Sequence, residues 1–277
     1  METWLNLWTY LLRSEGLIMI FVLVGIAVVT AIELWVPAES GQSIRGRMRN
    51  LIFLVLFKVA GLAGIALWYS FVPLILMPID AENGFVRVLL VLANLLLIDL
   101  LFYAYHRAQH RFSFLWAIHE LHHADSELNA TTSYRTYWLE FPVQGILIAT
   151  PTLFLFGGLG PVHGMVVMVC SIFFLIFSHA NIRLHLGALQ SWIINPQVHR
   201  IHHSRLPQHR DCNFAQLFPV IDRLFGTFYA PQRDEFPPTG THELASDASI
   251  PTTLIRPIRI WASLLKKVVR TVPVLFF

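Results

Sequence analysis

Apolar residues run along this chain in five long stretches, at about 17–36, 51–77, 86–105, 139–157 and 161–179. Each is near or above the roughly 20 residues that a helix needs to cross a hydrocarbon core. The polar residues collect between these stretches, so the pattern predicts five membrane-spanning helices. Composition agrees. Hydrophobic residues make up 55% of the chain, charged residues only 13%, and the mean hydropathy is +0.58, whereas soluble domains carry roughly 25% charged residues. Glu2 and Glu15 precede the first stretch and no small-residue cleavage site follows it, so a retained span is expected, not a cleaved leader. Ahead of it, Trp4, Leu7, Trp8, Leu11 and Leu12 recur at helical spacing; residues 4–13 read either as a helix lying on the membrane surface or as a frayed terminus.

Charge orients the spans. Arg45, Arg47 and Arg49 lie between the first two, Arg107, Arg111 and Arg135 between the third and fourth, and Arg183 onward follows the fifth. The opposite loops hold PIDAENG at 78–84 and GGLGP at 157–161, which carry no Lys or Arg. Positive-inside then puts the 37–50 loop, the 106–138 segment and everything after the fifth span in the cytoplasm. Lys58 lies close enough to that end to snorkel back to it.

Histidine changes the picture most. Of thirteen, eight fall into three groups: His106 and His110 in HRAQH, His119, His122 and His123 in HELHH, and His199, His202 and His203 in HRIHH. Residues three or four apart share a helix face, so each group can aim its rings at one point. All three groups fall on the side the arginines mark as cytoplasmic. Eight neutral imidazoles exceed what one ion needs, and imidazole suits iron, zinc, copper or nickel, so two metals are expected. His179, closing the fifth stretch at the same boundary, is a further candidate ligand. His185 is an open tenth, and Asn181 is an oxygen ligand or an outer-sphere partner. His163 starts the fifth span on the opposite side and reads as interfacial; His242 and His209 read as solvated.

Two carboxylates bear on this centre. Asp99 lies inside the third span, where an unpaired charge is costly, and is a candidate acceptor for the second N–H of a metal-bound imidazole. Glu120, between two ligand positions, points to another face and reads as a surface or salt-bridge residue. No Glu-x-x-His motif recurs on two helices, which disfavours a ferritin-type site. Cys170 and Cys212 form neither a CxxC pair nor a disulfide framework.

With these residues in view, DLLFYAYHRAQH, HELHHADSELNATTSYR, FSHANIRL, NPQVHRIHHSR and NFAQLFPVIDRLFGTF resemble the fatty acid hydroxylase or sterol desaturase superfamily of integral membrane di-iron oxygenases, over about residues 95–230. The resemblance implies ligands at His106, His110, His119, His122, His123, His179, His199, His202 and His203. It implies two iron ions, O2 as co-substrate, a lipid substrate and an external source of electrons. Many members carry His-Pro after the Arg of the second box, where this chain has Tyr137 and Trp138 following Thr136. No cytochrome b5-like HPGG segment occurs, so a separate donor (cytochrome b5, ferredoxin or a reductase) is expected, and Arg200, Arg205 and Arg210 offer it or a lipid headgroup a basic patch.

The expected fold is an all-α, multi-pass membrane bundle of about five spans with a cytoplasmic helical cap carrying the histidine boxes. Its expected organisation is an N-terminal interfacial segment and first spans over 1–94, the di-iron region over 95–230, and a C-terminal loop and basic amphipathic helix over 231–277. In that last helix Ile258, Trp261, Leu265 and Val268 repeat, with Arg259, Lys266, Lys267 and Arg270 mostly elsewhere; it lies on anionic lipid or packs on the protein itself. The expected function is O2-dependent hydroxylation of an aliphatic C–H bond of a fatty acyl, sterol or ether lipid. The alternatives are desaturation on the same centre, a histidine-rich membrane metal-binding or transport protein, and a bis-histidine haem carrier. A bacterial inner membrane is favoured over the endoplasmic reticulum, and no nucleic acid is expected as a partner.

Overall fold

Five helical spans answer the five apolar stretches in the computed structural model, which describes residues 2–72, 75–77, 79, 81 and 83–271, with side chains described from Glu15 to Val269 within those ranges. Helix α1 covers Glu2–Trp35, α2 Ile44–Phe71 and α3 Gly84–Arg111. Ser43 caps α2 by accepting from Gly46 N–H, and Asn83 caps α3 by accepting from Phe85 and Val86 N–H, so each helix starts where a short polar side chain satisfies its free amides. Residues 4–13 continue α1 without a break, and their side chains lie outside those described. The third span runs six residues past its apolar stretch, which carries His106 and His110 on one continuous helix with it.

The fourth span is built from α5 (Glu140–Gln144), a widened π turn at Gly145–Ala149 and α6 (Thr150–Phe156). Pro151 has no N–H to return to the preceding turn, and Gly145 O accepts from both the backbone N–H and, at 2.9 Å, the Oγ1 of Thr150. The fifth span, α7 (Pro161–Ser178), completes the set. These spans turn large apolar side chains outward: Leu23, Val55, Leu92 and Phe173 are all exposed, an inside-out arrangement suited to lipid. The chain is a multi-pass membrane protein. Among the described residues there is no strand, only an isolated antiparallel bridge between Ser204 and Thr239.

Close approach sets the packing between α2 and α5. A Cβ on Gly61 would lie 1.3 Å from Phe141 Cδ1, and one on Gly64 2.7 Å from Pro142 Cβ. Small residues let these two helices touch. Gly61→Ala is expected to lower stability by about 1–3 kcal/mol through overpacking, read as a drop in unfolding temperature of the detergent-purified protein; an unchanged temperature would show that α5 moves freely.

Everything outside the spans that carries chemistry gathers at one end of the bundle. Helix α4 (Ser113–His123) leaves α3 after one residue, Phe112. It is followed by a 3-10 turn at Ala130–Tyr134, α8 (Pro196–His202), α9 (Val220–Leu224) and α10 (Ile250–Thr271). Buried polar side chains fasten this layer to the spans. Glu33, at the end of α1 and 1% exposed, accepts from Arg47 at 2.6 Å, Ala130 N–H at 2.7 Å and Asn181 N–H at 2.8 Å. Arg135, 2% exposed, donates to Leu121 O, Asn50 Oδ1 and Ser246 O at 2.9–3.1 Å, joining α2, α4 and the stretch leading to α10.

Candidate metal centre

Nine histidines meet at this end of the bundle. His106, His110, His119, His123 and His202 form one group and His122, His179, His199 and His203 a second; within each group the ligating nitrogens lie within 4.8 Å of one another. All nine are buried except His110, which is half-buried. Helical rotation explains the division. His119 and His123, four apart on α4, face the first group, while His122, about 100° round the helix, faces the second. On and just after α8 the split is exchanged: His199 and His203 enter the second group and His202 the first. The second and third boxes therefore each serve both groups, the first box serves the first group alone, and the groups share a wall.

In four of the rings the surroundings fix which nitrogen carries the proton. His106 Nδ1 lies 2.8 Å from Phe214 O, His202 Nδ1 2.8 Å from Cys212 O and His179 Nδ1 2.7 Å from Leu175 O. A carbonyl only accepts, so each Nδ1 carries hydrogen and each Nε2 presents a lone pair. His119 Nδ1 likewise donates to Glu140 Oε1 at 3.1 Å. The Nε2 atoms then crowd together: His179 lies 3.1 Å from His122 and 3.0 Å from His199, His203 3.1 Å from His199, and His123 3.1 Å from His110 and 3.2 Å from His119. His106 Nε2 and His202 Nε2 are buried with no hydrogen-bond partner. Lone pairs that face each other without a shared proton repel, and a cation between them removes the repulsion. Two nitrogens about 2.1 Å from one ion at right angles stand about 3.0 Å apart, which is the spacing found. Burial drives the imidazoles outside the spans toward the neutral, ligating form: His119, His122, His123, His199 and His203 are pushed well below their ordinary value by desolvation and by one another, and His179 and His202 to about 4.

Loop 211–218 supplies two of the orienting carbonyls, and buried carboxylates hold it. Asp211 and Asn213 both take positive φ, 57° and 56°, a conformation Asp and Asn tolerate better than most residues. Asp222 accepts from Phe214 and Ala215 N–H at 2.8 and 2.9 Å. Asp99 accepts from Gln216, Leu217 and Phe218 N–H at 2.6–3.1 Å. Replacing Asp222 with alanine leaves two buried amides without an acceptor, at a cost of about 1–3 kcal/mol, and frees the carbonyls behind His106 and His202. The expected result is a lower unfolding temperature together with weaker metal retention on dialysis against a chelator; loss of stability with metal fully retained would separate the loop from the centre.

Several sequence expectations change here. Asp99 touches no imidazole; its carboxylate is filled by three backbone amides, because the chain folds the 216–218 turn onto the span. Asn181 bonds to Glu39, through Glu39 N–H and O, and not to a histidine. His185 belongs to neither group, and its Nδ1 accepts from Gly187 N–H within its own turn. His209 is 1% exposed, not solvated, and sits between Ser204 Oγ at 2.8 Å and Glu235 Oε1 at 2.9 Å. Arg200, also buried, is committed to Glu39 Oε1 at 2.6 Å and Pro237 O at 2.7 Å and cannot dock a partner. Glu120 is a buried salt-bridge residue, paired with Arg256. Arg205 and Arg210 do line a cleft of about 320 Å³, whose wall includes His110, His123 and His202. The residue that sequence reasoning missed is Glu140. Its signal was available: a lone carboxylate opening an apolar span, the same argument applied to Asp99.

A bundle of membrane spans capped at one end by two buried imidazole groups defines a class of integral membrane metal proteins. Residues 91–227 match the family model described as fatty acid hydroxylase. The chain is 30% identical over 161 residues to alkylglycerol monooxygenase of Danio rerio, covering 54% of this chain and 33% of that protein. It is 29% identical over 143 residues to the ornithine lipid hydroxylase of Rhizobium tropici, covering 52% and 43%, and 27% identical over 158 residues to human cholesterol 25-hydroxylase, covering 55% and 56%. The match thus spans about a third of the alkylglycerol monooxygenases and about half of the cholesterol hydroxylase. The chain belongs to the fatty acid hydroxylase and sterol desaturase superfamily. No solved structure matches it.

Proposed function

We propose that this protein is a membrane-bound di-iron oxygenase that hydroxylates an aliphatic C–H bond of a lipid. The observation that carries the reading is the pair of buried imidazole groups, nine nitrogens facing inward with the lone pairs of His106 and His202 unpartnered. In this reading His106, His110, His119, His123 and His202 hold one iron and His122, His179, His199 and His203 the other. Iron bound there supplies the redox chemistry by which O2, two electrons and two protons convert R–H to R–OH and water. The protein's part is positional: carbonyls of Leu175, Cys212 and Phe214 and the Glu140 carboxylate hold the rings, and burial keeps them neutral and water out. Hydroxylation is preferred to desaturation because the matched relatives are named as monooxygenases and hydroxylases, and a lipid substrate because those names carry alkylglycerol, ornithine lipid and cholesterol.

The arginine distribution supports a cytoplasmic centre, a bacterial inner membrane is the favoured setting, and a separate electron donor serves it. Arg205 and Arg210, at the cleft beside His110 and His202, are the basic groups left for that donor once Arg200 is committed internally. The test is lipid mass spectrometry of cells expressing the chain under 18O2. A lipid that gains one labelled oxygen only when the chain is present supports the reading. Absence of such a lipid, or purified protein carrying zinc in place of two irons, overturns it.

A further inference from the structure

Helix α10 lies outside the region matched by the family model and takes no part in the metal centre. One face of it is bolted to the protein. Arg256 grips Glu120 on α4, Trp261 stacks on Phe114 with ring centroids 5.1 Å apart and donates from Nε1 to Phe114 O at 2.9 Å, and Tyr137 Oη donates to Leu254 O at 2.6 Å. These anchors fix its level. Phe114 lies three residues beyond the end of α3, Tyr137 three residues before the start of the fourth span, and Leu254 packs against the cluster that Phe53 of α2 forms with Leu121, Ala124 and Leu244. Helix α10 therefore runs along the ends of three spans, at the boundary where a bilayer meets water.

Its outer face is unusual for a helix turned to water. Ile258, Leu265 and Val269 are 53%, 65% and 68% exposed and recur with Ala262 at i, i+4, i+7 and i+11, forming one apolar stripe. Arg259 and Lys266 each follow a stripe residue by one position, so cations run along its edge, and both are exposed. Trp261, expected on this stripe from the sequence, belongs to the anchored face instead.

We propose that the exposed stripe of α10 is embedded in the headgroup layer of a bilayer containing anionic lipid, with Arg259 and Lys266 on the lipid phosphates. A partly buried apolar stripe edged with cations, held at the level of span ends, has the geometry of an interfacial helix, and basic residues near a surface are drawn to anionic lipid. Because Arg256 ties α10 to Glu120, which sits between His119 and His122, the membrane contact braces the helix that carries the second histidine box.

The experiment uses the full chain in a Cys170→Ala background, Cys212 being buried. Nitroxides are placed by Ile258→Cys, Leu265→Cys and, as the control at the far edge of the exposed arc, Ser263→Cys. The protein is reconstituted in phosphatidylcholine vesicles with and without phosphatidylglycerol, and electron paramagnetic resonance compares access to O2 and to a soluble nickel chelate. Labels at 258 and 265 are expected to be open to O2 and shielded from nickel, the label at 263 the reverse. Immersion should deepen with phosphatidylglycerol and lose that dependence in an Arg259→Gln, Lys266→Gln variant. Nickel access at 258 and 265 equal to that at 263 overturns the proposal, as does spin–spin broadening that marks a second copy of the chain on the stripe. Equal immersion in both vesicle types overturns the role given to anionic lipid.

Discussion

Alanine at His202 or at His122 is expected to remove iron from the protein and to reduce lipid hydroxylation by at least about a hundredfold, the upper range for loss of an outer-sphere partner alone. His202 offers the first group a buried lone pair with no other partner, and His122 lies 3.1 Å from His179 in the second. His202 Nδ1 donates to one backbone carbonyl, that of Cys212, a single bond worth about 1 kcal/mol, so each variant should remain folded while its group drops to four or three nitrogens. Metal analysis of purified protein measures the loss directly, and 18O2 labelling of cellular lipid measures its consequence. His185→Ala is the matched control: that ring stands in neither group, and iron content and labelling should stay at the level of the unaltered chain. Full iron occupancy and unchanged labelling in His202→Ala would falsify the ligand assignment.

Glu140→Ala is expected to lower iron affinity by about 10–100-fold, the usual effect of removing the group that orients a ligating imidazole. Glu140 is 1% exposed and its Oε1 accepts from His119 Nδ1–H, which fixes the tautomer that turns Nε2 inward. Without an acceptor the ring can flip or exchange its proton to Nε2, and in either state a lone pair is lost from the first group. Glu140→Gln keeps a carbonyl oxygen at the same place and should restore most of the affinity. Competition against a chelator, read by absorption of the released iron complex, separates the two variants. Equal affinity in both would mean that the carboxylate's charge, and not its acceptor atom, matters. A loss confined to stability, with affinity unchanged in Glu140→Ala, would assign the residue to packing.

The spans and the three histidine boxes were legible because both are local patterns. An apolar run of membrane length needs no partner to be recognised, and His119, His122 and His123 declare a helix face by their spacing alone. His179 was legible from its place at the end of a span. What was hidden depends on contacts between distant parts of the chain. Asp99 signalled a partner, but its partners are amides of residues 216–218, which carry no side-chain signature. His209 looked solvated because its Nε2 partner, Glu235, and the ring packed on it, Tyr229, are distant in sequence. Arg200 lies five residues from exposed Arg205, and its contacts with distant Glu39 and Pro237 tell them apart. The division of nine imidazoles into five and four is half legible: helical rotation separates His122 from His123, but which side of α8 meets which side of α4 is a matter of docking.

Three of the nine imidazoles are oriented by main-chain oxygens, those of Leu175, Cys212 and Phe214. No exchange of one amino acid for another deletes a carbonyl, so the genetic code gives point mutation no direct route to disarming these contacts. Such a centre tolerates drift in the side chains around it as long as the backbone keeps its course. It follows that a graft of this chemistry onto another bundle must carry the 211–218 turn with its two restraining aspartates; transplanting the histidines alone would deliver the ligands without their aim.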